Sequence, residues 1–242
     1  MREVEGIVLR IQDYKENDKL VNILVRNEGI ITLYGRGMNK ITSKLATSCL
    51  PYMVSHFVIE ENDVKSILQL RSCSRVKLFK NCREDLVKQM IAMCICDYAY
   101  AISKDEANEI FDLVYETLCI LEETSTPELV YAIYLKEIAE LIGVEPQVDG
   151  CVICGGTTRI STVSVDEGGF ICENCNTYGH RSSKDYLYLF RVICKAKYMN
   201  MANISYTQSE IINVLETLII FVKQYGSIVS KGNDLLLKIL HS

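Results

Sequence analysis

The sequence predicts an α+β chain of more than one domain: a small five-stranded β-barrel over residues 1–80, then a mainly helical domain over 81–242 that carries a four-cysteine hairpin at 148–180. Three observations predict it. Residues Val4 to Leu70 alternate apolar and polar side chains in short runs parted by turn signals. From Asn81 onward, apolar residues recur at three- and four-residue steps. Two Cys-x-x-Cys pairs, Cys151/Cys154 and Cys172/Cys175, stand 17 residues apart in a glycine-rich segment.

The strands come first. Val4 to Ile11 alternates, which places Ile7, Leu9 and Ile11 on one face and Val8 and Arg10 on the other. Leu20 to Arg26 repeats the pattern through Val21, Ile23 and Val25, and Asn27-Glu28-Gly29 supplies a hairpin turn into Ile30 to Tyr34. A gap from Gly35 to Tyr52 follows. Val54 to Glu60 and Val64 to Leu70 then form a last hairpin across Glu61-Asn62-Asp63. Five short strands with one long interruption after the third fit the five-stranded Greek-key barrel known as the OB-fold, and a sandwich or open sheet fits the same alternation.

The helices follow. Leu86, Met90, Cys94 and Tyr98 recur at four-residue steps, and Ile110, Leu113, Val114, Leu118 and Leu121 trace a second stripe. The third helix has both ends marked: Thr126 caps it, Pro127 takes its first position, and Gly143 ends it. Beyond the cysteines, Lys184 to Asn200, Gln208 to Tyr225 and Asn233 to Leu240 read as three more helices.

Four thiolates spaced as Cys151, Cys154, Cys172 and Cys175 match a tetrahedral zinc site, each Cys-x-x-Cys turn presenting two sulfurs on one knuckle. Gly155-Gly156 after the first knuckle and Gly168-Gly169 before the second give the backbone the freedom such turns need. A catalytic zinc keeps a coordination position open, whereas four sulfurs fill the tetrahedron, so the expected ion is structural. His180 lies close enough in sequence to compete and reads as a solvated loop residue. The other seven cysteines fall at irregular spacing, several within helical patterns where a thiol packs as a small hydrophobe. Free thiols, no secretory leader and no apolar run of the roughly 18 residues that a membrane helix needs point to the cytoplasm.

Catalytic equipment is sparse. Among 242 residues there are three histidines, His56, His180 and His241, and neither a phosphate-cradling glycine loop nor a Gly-x-Ser-x-Gly elbow occurs. The carboxylate pair Glu122/Glu123 reads as a solvated turn. No enzyme and no small-molecule substrate are expected. The net charge of -5 divides into +4 over residues 1–80, -11 over 81–150 and +2 over 151–242, which confines any polyanion contact to one face or end. The cations of the barrel, Arg10, Arg26, Arg36, Lys40 and Lys44, lie with Tyr34 and Tyr14 in the region where an OB-fold tracks phosphates and stacks bases.

Glu5-Gly6-Ile7-Val8-Leu9-Arg10, the following Asp13-Tyr14-Lys15-Glu16-Asn17-Asp18-Lys19-Leu20, and Asn27-Glu28-Gly29-Ile30-Ile31-Thr32-Leu33-Tyr34-Gly35-Arg36-Gly37 resemble the N-terminal barrel of the bacterial RecO family. The cysteine segment, with Val163-Ser164-Val165-Asp166-Glu167-Gly168-Gly169-Phe170 before its second knuckle, is similar to the zinc-bearing members of that family. The resemblance implies a DNA repair and recombination mediator. Such a protein binds single- and double-stranded DNA, anneals complementary strands on DNA coated with single-strand-binding protein, and with RecR helps load RecA, at the bacterial nucleoid. It also implies DNA contacts at Arg10, Arg36, Lys40 and Lys44. A zinc-stabilised protein-interaction adaptor without nucleic-acid binding, and a zinc-dependent enzyme, are the readings of other classes.

Overall fold

The structure is a computed structural model and describes residues 1–60, 66–102, 107–177 and 179–242. The chain forms two compact units, the first comprising Met1–Thr124 with Ser230–Gly232, the second Ser125–Val229 with Asn233–Ser242.

The first unit begins with β1 (Arg2–Tyr14), β2 (Asp18–Val25), β3 (Gly29–Gly35), β4 (Val54–Glu60) and β5 (Ile67–Lys77), which close into a barrel in the order β1-β2-β3-β5-β4. All neighbours are antiparallel except β3 and β5, which pair in parallel over Thr32–Tyr34 and Ile67–Gln69. This is the expected five-stranded OB-type roll, and not the sandwich or open sheet that the same alternation fits. The last hairpin's turn, Glu61-Asn62-Asp63, and the expected strand start at Val64 lie outside the described residues. Within them, β5 extends to Lys77 and not to Leu70.

The faces of β1 differ from the simple alternation. Its register against β2 shifts between Val8 and Arg10, a β-bulge that inserts one residue and reverses the facing of the residues after it. Ile11 therefore packs with Val4 and Val8 in the barrel interior, alongside Val21, Ile23, Leu33, Phe57 and Ile59, and not on the side of Ile7 and Leu9. Both sides of β1 are apolar here because Ile7 and Leu9 are also buried.

A short helix, α1 (Lys44–Ser48), occupies part of the gap after β3, where the sequence predicts no element. The loop before it is pinned by Met38, 2% exposed among the barrel core residues. Gly35 makes that possible, since a Cβ there would collide with the Met38 sulfur.

Three helices complete the first unit: α2 (Asn81–Glu84), α3 (Leu86–Ala101) and α4 (Ala107–Glu123). Asp85 caps α3 by accepting the Lys88 N–H at 2.9 Å. Met90, Cys94 and Tyr98 are buried as their spacing predicts, whereas Leu86, one turn earlier, is exposed. Glu122 is not a solvated turn. It sits in the last turn of α4, and its carboxylate accepts the Asn81 and Cys82 N–H groups at 2.9 and 3.0 Å, capping α2 from outside.

In the second unit, α5 (Pro127–Leu141) has Pro127 at its first turn, is buried on nearly every side and is followed by Gly143 at φ +72°. Thr126 holds the cap position, yet its side chain makes no capping hydrogen bond. The hairpin β6 (Ile160–Ser164) and β7 (Gly169–Cys172) comes next, then α6 (Lys184–Lys195), α7 (Gln208–Gly226) and α8 (Asn233–Leu240). The helix expected to reach Asn200 ends at Lys195, because Ala196 turns extended and Tyr198–Asn203 coils as a 3₁₀ helix. Thr207 and Glu210 close a reciprocal capping box on α7. No helix among the described residues is long and apolar enough to cross a membrane.

Candidate metal centre and nucleic-acid surface

The two knuckles meet where the spacing places them. Cys151, Cys154, Cys172 and Cys175 bring their sulfurs within 4.8 Å of one another, and no histidine joins the cluster among the described residues. The first knuckle folds through Gly155 N–H donating to the Cys151 carbonyl and Cys151 N–H donating to the Gly156 carbonyl, both at 2.8 Å, with Gly155 at φ +73°. The second folds through Cys175 and Asn176 N–H groups, at 3.1 and 3.0 Å, on the Cys172 carbonyl. The Val152 N–H donates to the Phe170 carbonyl at 2.9 Å, joining the first knuckle to β7 beside the second. Gly169 lets the chain at Gln147 pass against this hairpin: Phe170 N–H donates to the Gln147 carbonyl at 2.9 Å, which a Cβ on Gly169 would overlap.

The donor set fits a zinc-sized ion. Sulfurs about 2.3 Å from a tetrahedral zinc stand about 3.8 Å apart; Cys154 and Cys172 are 3.7 Å apart, and all four thiols are free. Burial opposes ionisation of Cys151, but backbone N–H groups of Cys172, Cys154 and Ile153 outweigh it and hold the thiol down at about 6. Hydrogen bonds that the Cys175 thiol donates to Cys154 and Cys172 favour its protonated form and push it up to about 12. Without a cation, therefore, the cluster keeps protons; a dication is what permits four thiolates together. His180 stands apart, its carbonyl accepting from the Asn176 side chain at 2.7 Å while it lines a separate polar cleft with Ser182 and Glu216.

The barrel cations separate into two groups. Arg10 donates to Asp97 Oδ1 at 3.0 Å and lies over the Tyr100 ring at 4.3 Å. Arg26 donates to Asp112 Oδ2 at 2.8 Å and lies over Phe111 at 4.7 Å, and the hydrogen bond to Asp112 raises its already high pKa. Both thus bind α3 or α4 of their own unit. Arg36, Lys40 and Lys44 are exposed and enter no salt bridge among the described residues.

Arg36 and Lys40 share one end of the barrel with two aromatics. Tyr14 and Tyr34 meet edge to face with centroids 5.9 Å apart, and Lys15 Nζ lies 5.3 and 5.7 Å from the two rings. Asp18 organises this end, accepting the Tyr34 hydroxyl and, at 2.7 Å, the Gly37 N–H. The hydroxyl bond and then the N–H hold its carboxyl below the usual aspartate range, while the same bond raises Tyr34. Asn39 N–H donates to the Asn17 carbonyl at 3.0 Å, fastening the loop after β3 to the β1–β2 turn. Sequence reasoning gave Lys15 no role, although its place beside Tyr14 in a hairpin turn was the available signal. His56, on β4, is exposed with Nε2 3.5 Å from Glu5 Oε2.

Fold and site define a class: an OB-type barrel followed in the chain by a helical unit with a four-thiol knuckle. Two family models match this chain, one described as "Recombination protein O N terminal" over residues 1–79 and one as "Recombination protein O C terminal" over 83–230. Curated relatives in Bacillus cytotoxicus and Bacillus cereus, each named DNA repair protein RecO, are 32% identical over 173 residues, 71% of this chain and 69% of the relative. The chain belongs to the RecO family of DNA repair proteins.

Proposed function

We propose that this protein is a recombination mediator that binds single- and double-stranded DNA, anneals complementary strands and, with RecR, helps load RecA onto DNA coated by single-strand-binding protein. The observation that carries this reading is membership of the RecO family across both the barrel and the helical region. The barrel end supports it: Arg36 and Lys40 offer charge to phosphates, and Tyr14 and Tyr34 offer faces to bases, the two components of single-strand binding. Lys44 extends the same charge along α1. Arg10 and Arg26, already paired, act mainly by shaping the barrel flank, and Arg10 keeps further N–H groups for a ligand. The ion at Cys151, Cys154, Cys172 and Cys175 is zinc in a structural role, bracing the β6–β7 hairpin, and the protein itself catalyses no reaction. Its place of action is the cytoplasm, at the nucleoid.

The test is a salt titration of binding to single- and double-stranded oligonucleotides. Phosphate contacts release counterions, so affinity falls steeply as salt rises. Absence of binding at low salt favours the adaptor reading, in which the barrel has no nucleic-acid role.

A further inference from the structure

A cavity of about 380 Å³ opens on the flank of the first unit, lined by Arg10 from the β1 bulge, Tyr52 from the turn before β4, Arg83 from α2, and Gln89, Met93 and Asp97 from α3. Each arginine is backed by an aromatic ring. The Arg10 guanidinium carbon lies over the Tyr100 ring at 4.3 Å and that of Arg83 over the Tyr52 ring at 4.4 Å, which holds each cation against an aromatic face. One Arg83 nitrogen donates to the Pro51 carbonyl. Its Nε is buried with no hydrogen-bond partner among the described residues. That Nε has no surface open to a ligand; the half-buried Arg83, which lines the cavity, meets a ligand oxygen through its terminal N–H groups.

The charge balance selects the ligand. Asp97 is the cavity's acid, and its oxygens accept from Arg10, from the Ser230 hydroxyl at 2.9 Å and from the Lys231 N–H at 3.2 Å. Two guanidiniums against one carboxylate leave a single positive charge, which matches one phosphodiester and disfavours a run of acidic side chains. Met93, 46% exposed at the rim, supplies a polarisable apolar wall for a flat ring. The volume lies at the small end of ligand pockets, near 300 Å³ and above, enough for one nucleotide and too small for a base pair within a duplex.

We propose that this cavity takes one unstacked nucleotide of single-stranded DNA, with its phosphate on Arg10 and Arg83 and its base against Met93. This deepens, and rests on, the DNA-binding reading above. It makes the flank a single-strand-selective subsite, distinct from the Arg36/Lys40 end.

Fluorescence anisotropy with an oligothymidylate and with a hairpin duplex, each about 20 nucleotides to exceed the span of one OB-fold, tests it. Arg83→Gln is expected to weaken oligothymidylate binding about tenfold, the scale of a lost charge-assisted hydrogen bond. Met93→Glu, at an exposed rim position that threatens no fold, is expected to do the same, and duplex affinity changes less than about twofold in both. If the wild type binds both DNAs and the variants bind them as it does, or lose both equally, the subsite is overturned and the broader reading stands. If the wild type binds neither DNA at low salt, both fall. A polyglutamate peptide whose binding is lost in the two variants while oligothymidylate binding is kept also overturns the proposal, reassigning the cavity to acidic protein segments.

Discussion

At the scale of single residues, the four cysteines show how far spacing alone reaches. A knuckle is local, with its two ligands three positions apart, so Cys151/Cys154 and Cys172/Cys175 were legible as ligands from sequence, and their sulfurs do converge. Replacing Cys172 by Ser is expected to drop zinc content from about one ion per chain to near zero and to lower the melting temperature of the folded protein; metal analysis of purified protein checks it, and retained zinc would refute the assignment. The engagement of Arg10 and Arg26 was not legible. Their carboxylate partners, Asp97 and Asp112, lie 87 and 86 positions away, and no local pattern announces such a pair. Glu122 was misread for the same reason, since the N–H groups it caps are about 40 residues earlier. Burial raises its pKa, but those N–H groups prevail and hold the carboxyl below its ordinary value of 4.5. The stabilisation is thus fully present above about pH 4.5 and is lost as pH falls through the depressed folded value. Glu122→Gln is expected to lower the melting temperature at neutral pH and to flatten its decline over that acid window, measured by thermal melts at stepped pH.

Elements were legible where their ends carry chemistry. Pro127 and Gly143 bracket α5, and the alternating runs gave four strands within a few residues of their observed limits. Two features escaped. The bulge in β1 has no glycine to mark it, because Leu9 itself is the extra residue, and an apolar residue fits on either face of a strand buried on both sides. Helix α6 stops at Lys195 although helical residues continue, because Ala196 adopts an extended backbone that no side chain prescribes. Helix α7 is better determined. Its capping box makes Thr207→Ala worth about 1 kcal/mol of stability, a shift to be read from chemical denaturation. The β3–α1 loop belongs to this scale as well. Met38 anchors it in the barrel and Asp18 ties its start, so Arg36 and Lys40 stand on a held loop. Arg36→Glu with Lys40→Glu is expected to weaken binding of every DNA sequence alike and to reduce the salt slope by about two, since phosphates carry no sequence information. Sequence-dependent loss would contradict that role.

For the molecule as a whole, the sequence separates a mildly basic barrel from an acidic stretch at residues 81–150, and the structure shows part of that acidity spent inside the first unit, on Arg10 and Arg26. Arg36 and Lys40 remain exposed and outside any salt bridge among the described residues, at the barrel end that carries the Tyr14 and Tyr34 rings. The proposed reading, a barrel that handles DNA and a helical unit braced by a metal, accounts for the thiol cluster and the family membership together. The most direct measurement is the annealing rate of complementary oligonucleotides already coated with single-strand-binding protein. The account predicts faster annealing with this protein, falling as salt rises and in the Arg36→Glu, Lys40→Glu double variant; a rate identical with and without the protein would contradict it.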